Sequence, residues 1–324
     1  MPSPGTTRSR RWLLVAALLV AACSSDGDDA VDTTTPPTVS APTTVAATIA
    51  APTIETTTTT TPAPDELAVP TEPAALAAAL TEAELALRDP STVDTAAWGR
   101  RQQRLYRALP RDADEADAVV ALVDESVVDA VRLNLTARQA LSSLVRSGPL
   151  SETLPAWRID PPLPADELLG YYREAEAATG IEWEYLAAIN LIETRMGRID
   201  GLSTAGATGP MQFLPTTWEE CCEGDPTVDR DAINGAAVYL VNRGGPDDMA
   251  RALFGYNPSD EYVTAISAYA DVMRADELAY RGYHAWEVYF LSAAGLVRMP
   301  EGYEETEPVD AATWIAANPD ALVD

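Results

Sequence analysis

Carboxylates are the side chains of this sequence whose number and setting favour catalysis. The chain of 324 residues has 50 acidic and 22 basic residues, and every basic residue is arginine. The absence of lysine excludes P-loop phosphate chemistry, Schiff-base enzymes and Ser–Lys hydrolases, each of which needs a lysine amine. His284 is the single histidine, so a histidine-rich zinc site is also excluded. We therefore expect carboxylate chemistry, with no metal and no other cofactor.

Glu193 is the carboxylate that we expect to act as acid and base. Leu186, Ile189 and Glu193 fall on one stripe of a helix predicted over residues 181–196. A carboxyl on the apolar side of a helix loses hydration, which raises its pKa and keeps a proton available near neutral pH. The alternative is a buried structural glutamate paired with Arg195 or Arg198. The helix alone favours that alternative.

The segment downstream of this helix favours a ligand site instead. Residues 203–212 combine small residues with a methionine and an amide, so the backbone can approach a ligand closely while Gln212 offers a donor and an acceptor. Trp218, Tyr256 and Asn257 add flat faces and a second amide, which suit sugar rings. Together these residues predict a carbohydrate site beside Glu193.

These segments resemble the lytic transglycosylases of the lysozyme-like superfamily. In that family a helix ends in a catalytic Glu followed by Ser or Thr, and a loop of the form S-x-x-G-A-x-G-L-M-Q and a Tyr-Asn motif follow. Here they stand as Ile192-Glu193-Thr194, residues 203–212 and Gly255-Tyr256-Asn257. The resemblance covers about residues 163–275. Pro210 replaces the usual Leu, and the Pro-Ser after Tyr-Asn is similar to the membrane-bound B-type enzymes.

The resemblance implies a mainly α fold with a lysozyme-like helical domain over residues 163–300. It implies that Glu193 cleaves the MurNAc–GlcNAc β-1,4 bond of peptidoglycan. The expected partners are peptidoglycan glycan strands and, as further candidates, cell-division or wall-synthesis proteins. The substrate-binding residues that it implies are Ser203, Met211, Gln212, Tyr239, Tyr256 and Asn257.

The supply of carboxylates bears on the reaction type. Glycoside hydrolases usually pair two carboxylates, but the neighbouring Asp200 lies beyond Gly197 without motif support and is expected to be a loop cap. With one carboxylate, the resemblance implies a lytic route that ends in a 1,6-anhydro sugar. Two alternatives stay open: a hydrolytic muramidase on the same scaffold, and a non-catalytic wall-binding lipoprotein.

The N-terminal residues indicate export. An arginine-rich start and an apolar run of residues 12–22, too short to span a bilayer, predict a signal peptide over residues 1–22. Val20-Ala21-Ala22-Cys23 resembles a bacterial lipobox, which implies lipid attachment to Cys23 at the outer face of the cytoplasmic membrane, within reach of the cell wall. The alternative is ordinary signal cleavage near Ala-x-Ala. Residues 23–72, rich in Thr and Pro, are expected to form a disordered tether.

The remaining segments carry no predicted chemistry. Residues 73–148 are expected to form a helical accessory region, the proline-rich residues 148–164 a loop, and residues 301–324 an acidic tail. Almost no period-2 alternation indicates strands. Cys221 and Cys222 are expected to be two buried thiols, with a vicinal disulfide as the alternative. The formal net charge of −28 argues against binding of nucleic acid.

Overall fold

The computed structural model describes residues 62–145 and 149–323; the predicted signal peptide, Cys23 and the tether up to residue 61 lie outside these ranges. Within them the chain is mainly α-helical, as expected. The helices are α1 Pro73–Arg88, α2 Thr95–Ala108, α3 Ala113–Val120, α4 Val128–Val145, α5 Ala165–Thr179, α6 Trp183–Thr194, α7 Pro215–Cys221, α8 Asp229–Asn242, α9 Met249–Tyr256, α10 Asp260–Ala275, α11 Tyr280–His284 and α12 Ala311–Ala317. The short strands are β1 Thr153–Leu154, β2 Arg158–Ile159, β3 Ile199–Asp200, β4 Val288–Ser292, β5 Gly295–Met299, β6 Val309–Asp310 and β7 Leu322–Val323.

The helix ends follow local rules in most places. α5 ends at Gly180, which adopts the left-handed conformation that favours glycine, and Ser259 caps α10 by accepting the N–H of Tyr262. α7 begins at Pro215, because proline has the φ of a first helical residue and no N–H to satisfy there.

One hydrophobic core joins the predicted accessory region to the helices around Glu193. α4 packs along α10, α2 packs against α1 and α11, and α6 lies against α10 on another side. Leu135 of α4 and Ile266 of α10 belong to the same buried cluster. The described part of the predicted accessory region, residues 73–145, is helical, and the second half of the chain covers its apolar faces.

Buried hydrogen bonds cross the same interface. Tyr283 donates to Asn134 Oδ1 at 2.9 Å, and Trp286 Nε1 donates to Gln102 Oε1 at 3.0 Å. Gln102 in turn donates to Glu84 at 2.8 Å. Since buried polar groups are costly without partners, these bonds specify how the two parts of the chain fit together.

A second, smaller core is built around the strands, which the sequence pattern did not predict. β4 and β5 form an antiparallel hairpin that pairs Val288 with Met299, and β7 extends it. β1 pairs with β6 and β2 pairs with β3. The prediction of an acidic tail over residues 301–324 is wrong, because Tyr303 and Ala311 are buried in this core. The predicted loop over 148–164 likewise supplies two strands.

The predicted tether ends earlier than residue 72. Residues 64–66 form a 3-10 helix, and Asp65 Oδ2 accepts a bond from Arg100 Nε of α2 at 2.6 Å. Buried Arg101 contacts the carbonyls of Pro64 and Leu67. These residues are thus part of the folded body. In the part of the chain that is described, no helix combines the length and the apolarity needed to cross a membrane.

Candidate active site

Glu193 lies in the last turn of α6, a helix whose side chains are almost all buried. Its own side chain is 9% exposed, and its Oε1 accepts a hydrogen bond of 2.8 Å from the hydroxyl of Tyr262 in α10. The backbone turns sharply just beyond it, with φ of 57° at Arg195 and 62° at Met196. Non-glycine residues rarely adopt such values, and they concentrate at functional sites.

Burial raises the pKa of Glu193 to about 7, and the hydrogen bond from Tyr262 opposes part of that rise. A carboxyl with this pKa holds a proton on a large fraction of molecules at neutral pH, which a general acid requires. The alternative of a structural ion pair is wrong. Arg195 Nη1 donates to the carbonyl of Leu191, and Arg198 pairs with Glu301.

The predicted loop over residues 203–212 is held by hydrogen bonds within the loop and by one to the end of α6. Ser203 Oγ accepts the N–H groups of Ala205 and Ala207 at 3.3 and 3.0 Å. Thr194, the residue after Glu193, donates its hydroxyl to the Pro210 carbonyl at 2.6 Å. This bond fixes the loop to the end of α6, so the loop and the carboxyl keep one geometry.

A cavity lies between the loop, α6, α8 and α9. It brings together Glu193 and five of the six predicted substrate-binding residues, namely Ser203, Gln212, Tyr239, Tyr256 and Asn257. Further lining residues, which sequence reasoning did not assign to the site, are Ala205, Ala207, Phe213, Leu214, Thr217 and Gly255.

Met211 is the predicted binding residue that the structure does not bring to the cavity surface. Its side chain is fully buried, and its sulfur accepts a contact of 3.4 Å from Asn190 Nδ2. Its carbonyl accepts the Tyr256 hydroxyl at 2.7 Å. The prediction for its side chain is wrong because the apolar thioether packs beneath the loop, where it supports Tyr256.

Aromatic rings form one wall of the cavity and the layer behind it. Phe213 and Tyr239 meet edge to face at 6.0 Å, and Tyr239 meets Tyr256 in the same way at 5.6 Å. Tyr256 is parallel to Tyr262 at 6.4 Å. Tyr262 is the important residue that sequence reasoning missed. The sequence places Tyr262 on the same buried face of α10 as Ala265, Ile266 and Tyr269. That position is equally typical of an ordinary core residue, so it does not indicate a partner for Glu193.

Polar groups of the lining point to a neutral ligand. Gln212 Nε2 donates to the carbonyls of Gly209 and Gly201 at 3.0 and 3.4 Å, which leaves its carbonyl oxygen as an acceptor. Glu193 is the only acidic residue among the described lining residues. The exposed Asp200 is bound to Arg158 Nη2 at 2.6 Å. It is a strand residue here, so the prediction of a loop cap is wrong.

The structure corrects the prediction for Cys221 and Cys222. Their sulfurs are bonded at 2.01 Å, and both side chains are only partly buried. The chain leaves α7 in an extended conformation at Cys222. The described residues contain no cluster of three or more His, Cys, Asp or Glu that could hold a metal ion.

His284 has a packing role. Its Nε2 lies 2.8 Å from the Leu163 carbonyl, its ring contacts Tyr280, and burial lowers its pKa.

Comparison of the chain with protein-family models, with curated proteins and with solved structures finds no match.

Proposed function

We propose that this protein is a lytic transglycosylase with a lysozyme-like catalytic region that cleaves the glycan strands of peptidoglycan. The observation that carries the proposal is the carboxyl of Glu193. It is buried, its pKa is raised to about 7, and it opens on a cavity that is otherwise lined by neutral polar and aromatic residues. Such a lining suits an uncharged sugar ring, and such a carboxyl suits proton transfer to a glycosidic oxygen.

In the proposed reaction Glu193 acts twice. As an acid it gives its proton to the oxygen that joins MurNAc to GlcNAc, and the bond between that oxygen and C1 breaks. As a carboxylate it then takes the proton of the C6 hydroxyl, whose oxygen bonds to C1. The products are a GlcNAc end with a free hydroxyl and a 1,6-anhydroMurNAc end, and Glu193 has its proton again.

The other lining residues have roles that fit this substrate. Ser203 accepts two main-chain bonds through Oγ, which leaves its O–H as a donor toward an acetamido carbonyl. Gln212 and Asn257 supply amides for sugar hydroxyls, and Tyr239 and Tyr256 supply ring faces and edges. Met211, which is buried beneath the loop, supports Tyr256 by accepting its hydroxyl at the main-chain carbonyl.

The lytic route is favoured over hydrolysis by the composition of the cavity. A glycoside hydrolase usually has a second carboxylate, which acts as nucleophile or as base for a water. The described residues that line the cavity include no second carboxylate, and Asp200 forms an ion pair with Arg158.

The predicted signal peptide and the predicted lipid on Cys23 lead us to propose that this reaction takes place at the outer face of the cytoplasmic membrane, with the cell wall as partner.

Digestion of purified peptidoglycan followed by mass spectrometry tests the proposal. We expect fragments one water lighter than reducing-end fragments, and no release by Glu193→Gln. Glu184→Gln is the matched control, since Glu184 lies on the same helix and burial raises its pKa too, yet it does not line the cavity. Fragments with reducing ends would overturn the lytic route. No cleavage by the folded wild type, or full activity of Glu193→Gln, would overturn the enzyme assignment.

A further inference from the structure

A second cleft shares no lining residue with the Glu193 cavity. It lies between α2, the segment before α1 and the β4–β5 hairpin. Four arginines line it: Arg100, Arg104, Arg107 and Arg298. The three on α2 are spaced so that they share one helix face. The chain as a whole has a formal net charge of −28, so four arginines around one cleft are a local concentration of positive charge on an acidic protein.

The arginines are oriented by the surrounding structure. Arg100 Nε donates to Asp65 Oδ2 at 2.6 Å, and Arg104 Nη1 donates to the Asp65 carbonyl. The guanidinium carbon of Arg107 lies 3.8 Å from the centroid of the Tyr289 ring. This stacking fixes the position of the Arg107 guanidinium at the wall of the cleft.

Acidic residues neutralise only part of this charge. Asp65, Glu287 and Asp320 also line the cleft. Asp65 is engaged with Arg100, whereas Glu287 accepts from the Tyr289 hydroxyl at 3.3 Å and lies 3.7 Å from Arg298 Nη1. In the described part of the chain Arg104 forms no ion pair, although a guanidinium has five donors. The cleft therefore keeps a net positive charge and donors for an anion.

We propose that this cleft binds a phosphate ester, with the phosphate held by Arg104 and Arg298. Arg104 on α2 and Arg298 on β5 line the same cleft, and arginine side chains bind the oxygens of a phosphate through paired N–H donors. Val69 and the exposed Leu322 supply apolar surface for the organic part of the ligand. The source is a phospholipid headgroup or a phosphodiester polymer, which share this chemistry.

Calorimetric titration of the purified full chain with glycerophosphoglycerol tests the proposal. We expect saturable binding that weakens as salt is added, because the contacts are ionic. Arg298→Gln and Arg104→Gln should each weaken binding about tenfold, the usual effect of losing a charged hydrogen bond. The matched control is Arg132→Gln, an exposed arginine of α4 that pairs with Asp129, and its affinity should equal that of the wild type.

Circular dichroism and unfolding midpoints of each variant confirm that folded proteins are compared. Absence of saturable binding, equal affinities in the cleft variants and the control, or equally tight binding of glutarate would each overturn the proposal. A short-chain phosphatidylglycerol that binds more tightly than glycerophosphoglycerol would support it with a lipid as the source. Tighter binding of poly(glycerol phosphate) would support it with a polymer as the source.

Discussion

The burial of the Glu193 carboxyl, the acid and base of the proposed reaction, has a cost in stability. The carboxyl accepts a hydrogen bond from a neutral hydroxyl, that of Tyr262. Its folded pKa of about 7 lies above the ordinary value of 4.5, so the folded protein holds this proton more tightly than the unfolded chain. Stability therefore falls as pH rises between these two values.

Glu193→Gln should stabilise the protein at alkaline pH while abolishing cleavage. The amide is neutral and can still accept the Tyr262 hydroxyl, so the cost of the buried charge, about 3 kcal/mol at most from the shift, is removed above the folded pKa. Urea unfolding of both proteins at about pH 5 and about pH 8 measures this. A difference in unfolding free energy that does not grow with pH would contradict the assignment of a raised pKa.

Tyr262→Phe should move the pH profile of cleavage toward higher pH. The hydrogen bond from Tyr262 lowers the pKa of Glu193, so its loss raises that pKa further and keeps the acid form to higher pH. The measurement is the initial rate of glycan release against pH. Tyr171→Phe is the control, because Tyr171 donates to Glu167 at 2.8 Å on the surface. An unchanged alkaline limb would refute the coupling.

At the scale of elements, the loop over residues 203–212 depends on one glycine. Gly209 has a φ of +76°, and a Cβ there would lie 1.8 Å from the carbonyl oxygen of Pro226. Gly206 has a similar φ of +82°, but a Cβ at Gly206 would meet no atom within 4 Å. Substituting each glycine by alanine therefore distinguishes the cost of backbone strain from the cost of a steric clash.

Gly209→Ala should destabilise the fold by about 3 kcal/mol and reduce cleavage, since clash adds to strain. Gly206→Ala should cost only about 1 kcal/mol, the strain of a left-handed alanine. Chemical denaturation and glycan release measure the two effects. Equal losses in both variants would mean that contact with Pro226 is unimportant.

Elements set by neighbours in sequence could be predicted, and contacts across the chain could not. The helix bearing Glu193 and the Gly180 end of α5 follow from apolar spacing and a local glycine. Tyr262 lies 69 residues from Glu193, so nothing in its own surroundings marks its hydroxyl as a partner. Met211 was misassigned because a loop pattern does not say which side chains point inward. The two-residue strands were missed because they are too short to show alternation. The five-residue strands β4 and β5 were missed because their buried and exposed positions do not alternate.

At the scale of the whole molecule, the shared core makes α4 and α10 unfold together. Leu135 of α4 is buried in the cluster that also contains Ile266 of α10. Leu135→Ala should lower the unfolding free energy by about 2–4 kcal/mol. It should reduce hydrogen-exchange protection in α10 as much as in α4. Exchange that increases in α4 alone would indicate two independently stable units. Leu85→Ala, at a 45% exposed position of α1, is the control and should change neither.

The pairing of β1 with β6 has a consequence for the order in which the chain becomes structured. Thr153 and Leu154 pair with Asp310 and Val309, so a growing chain carries β1 without its partner until residue 309 has been added. The smaller core must therefore form late, however early the helices between the two strands appear. Such a delay would suit a chain that has to cross a membrane before it folds.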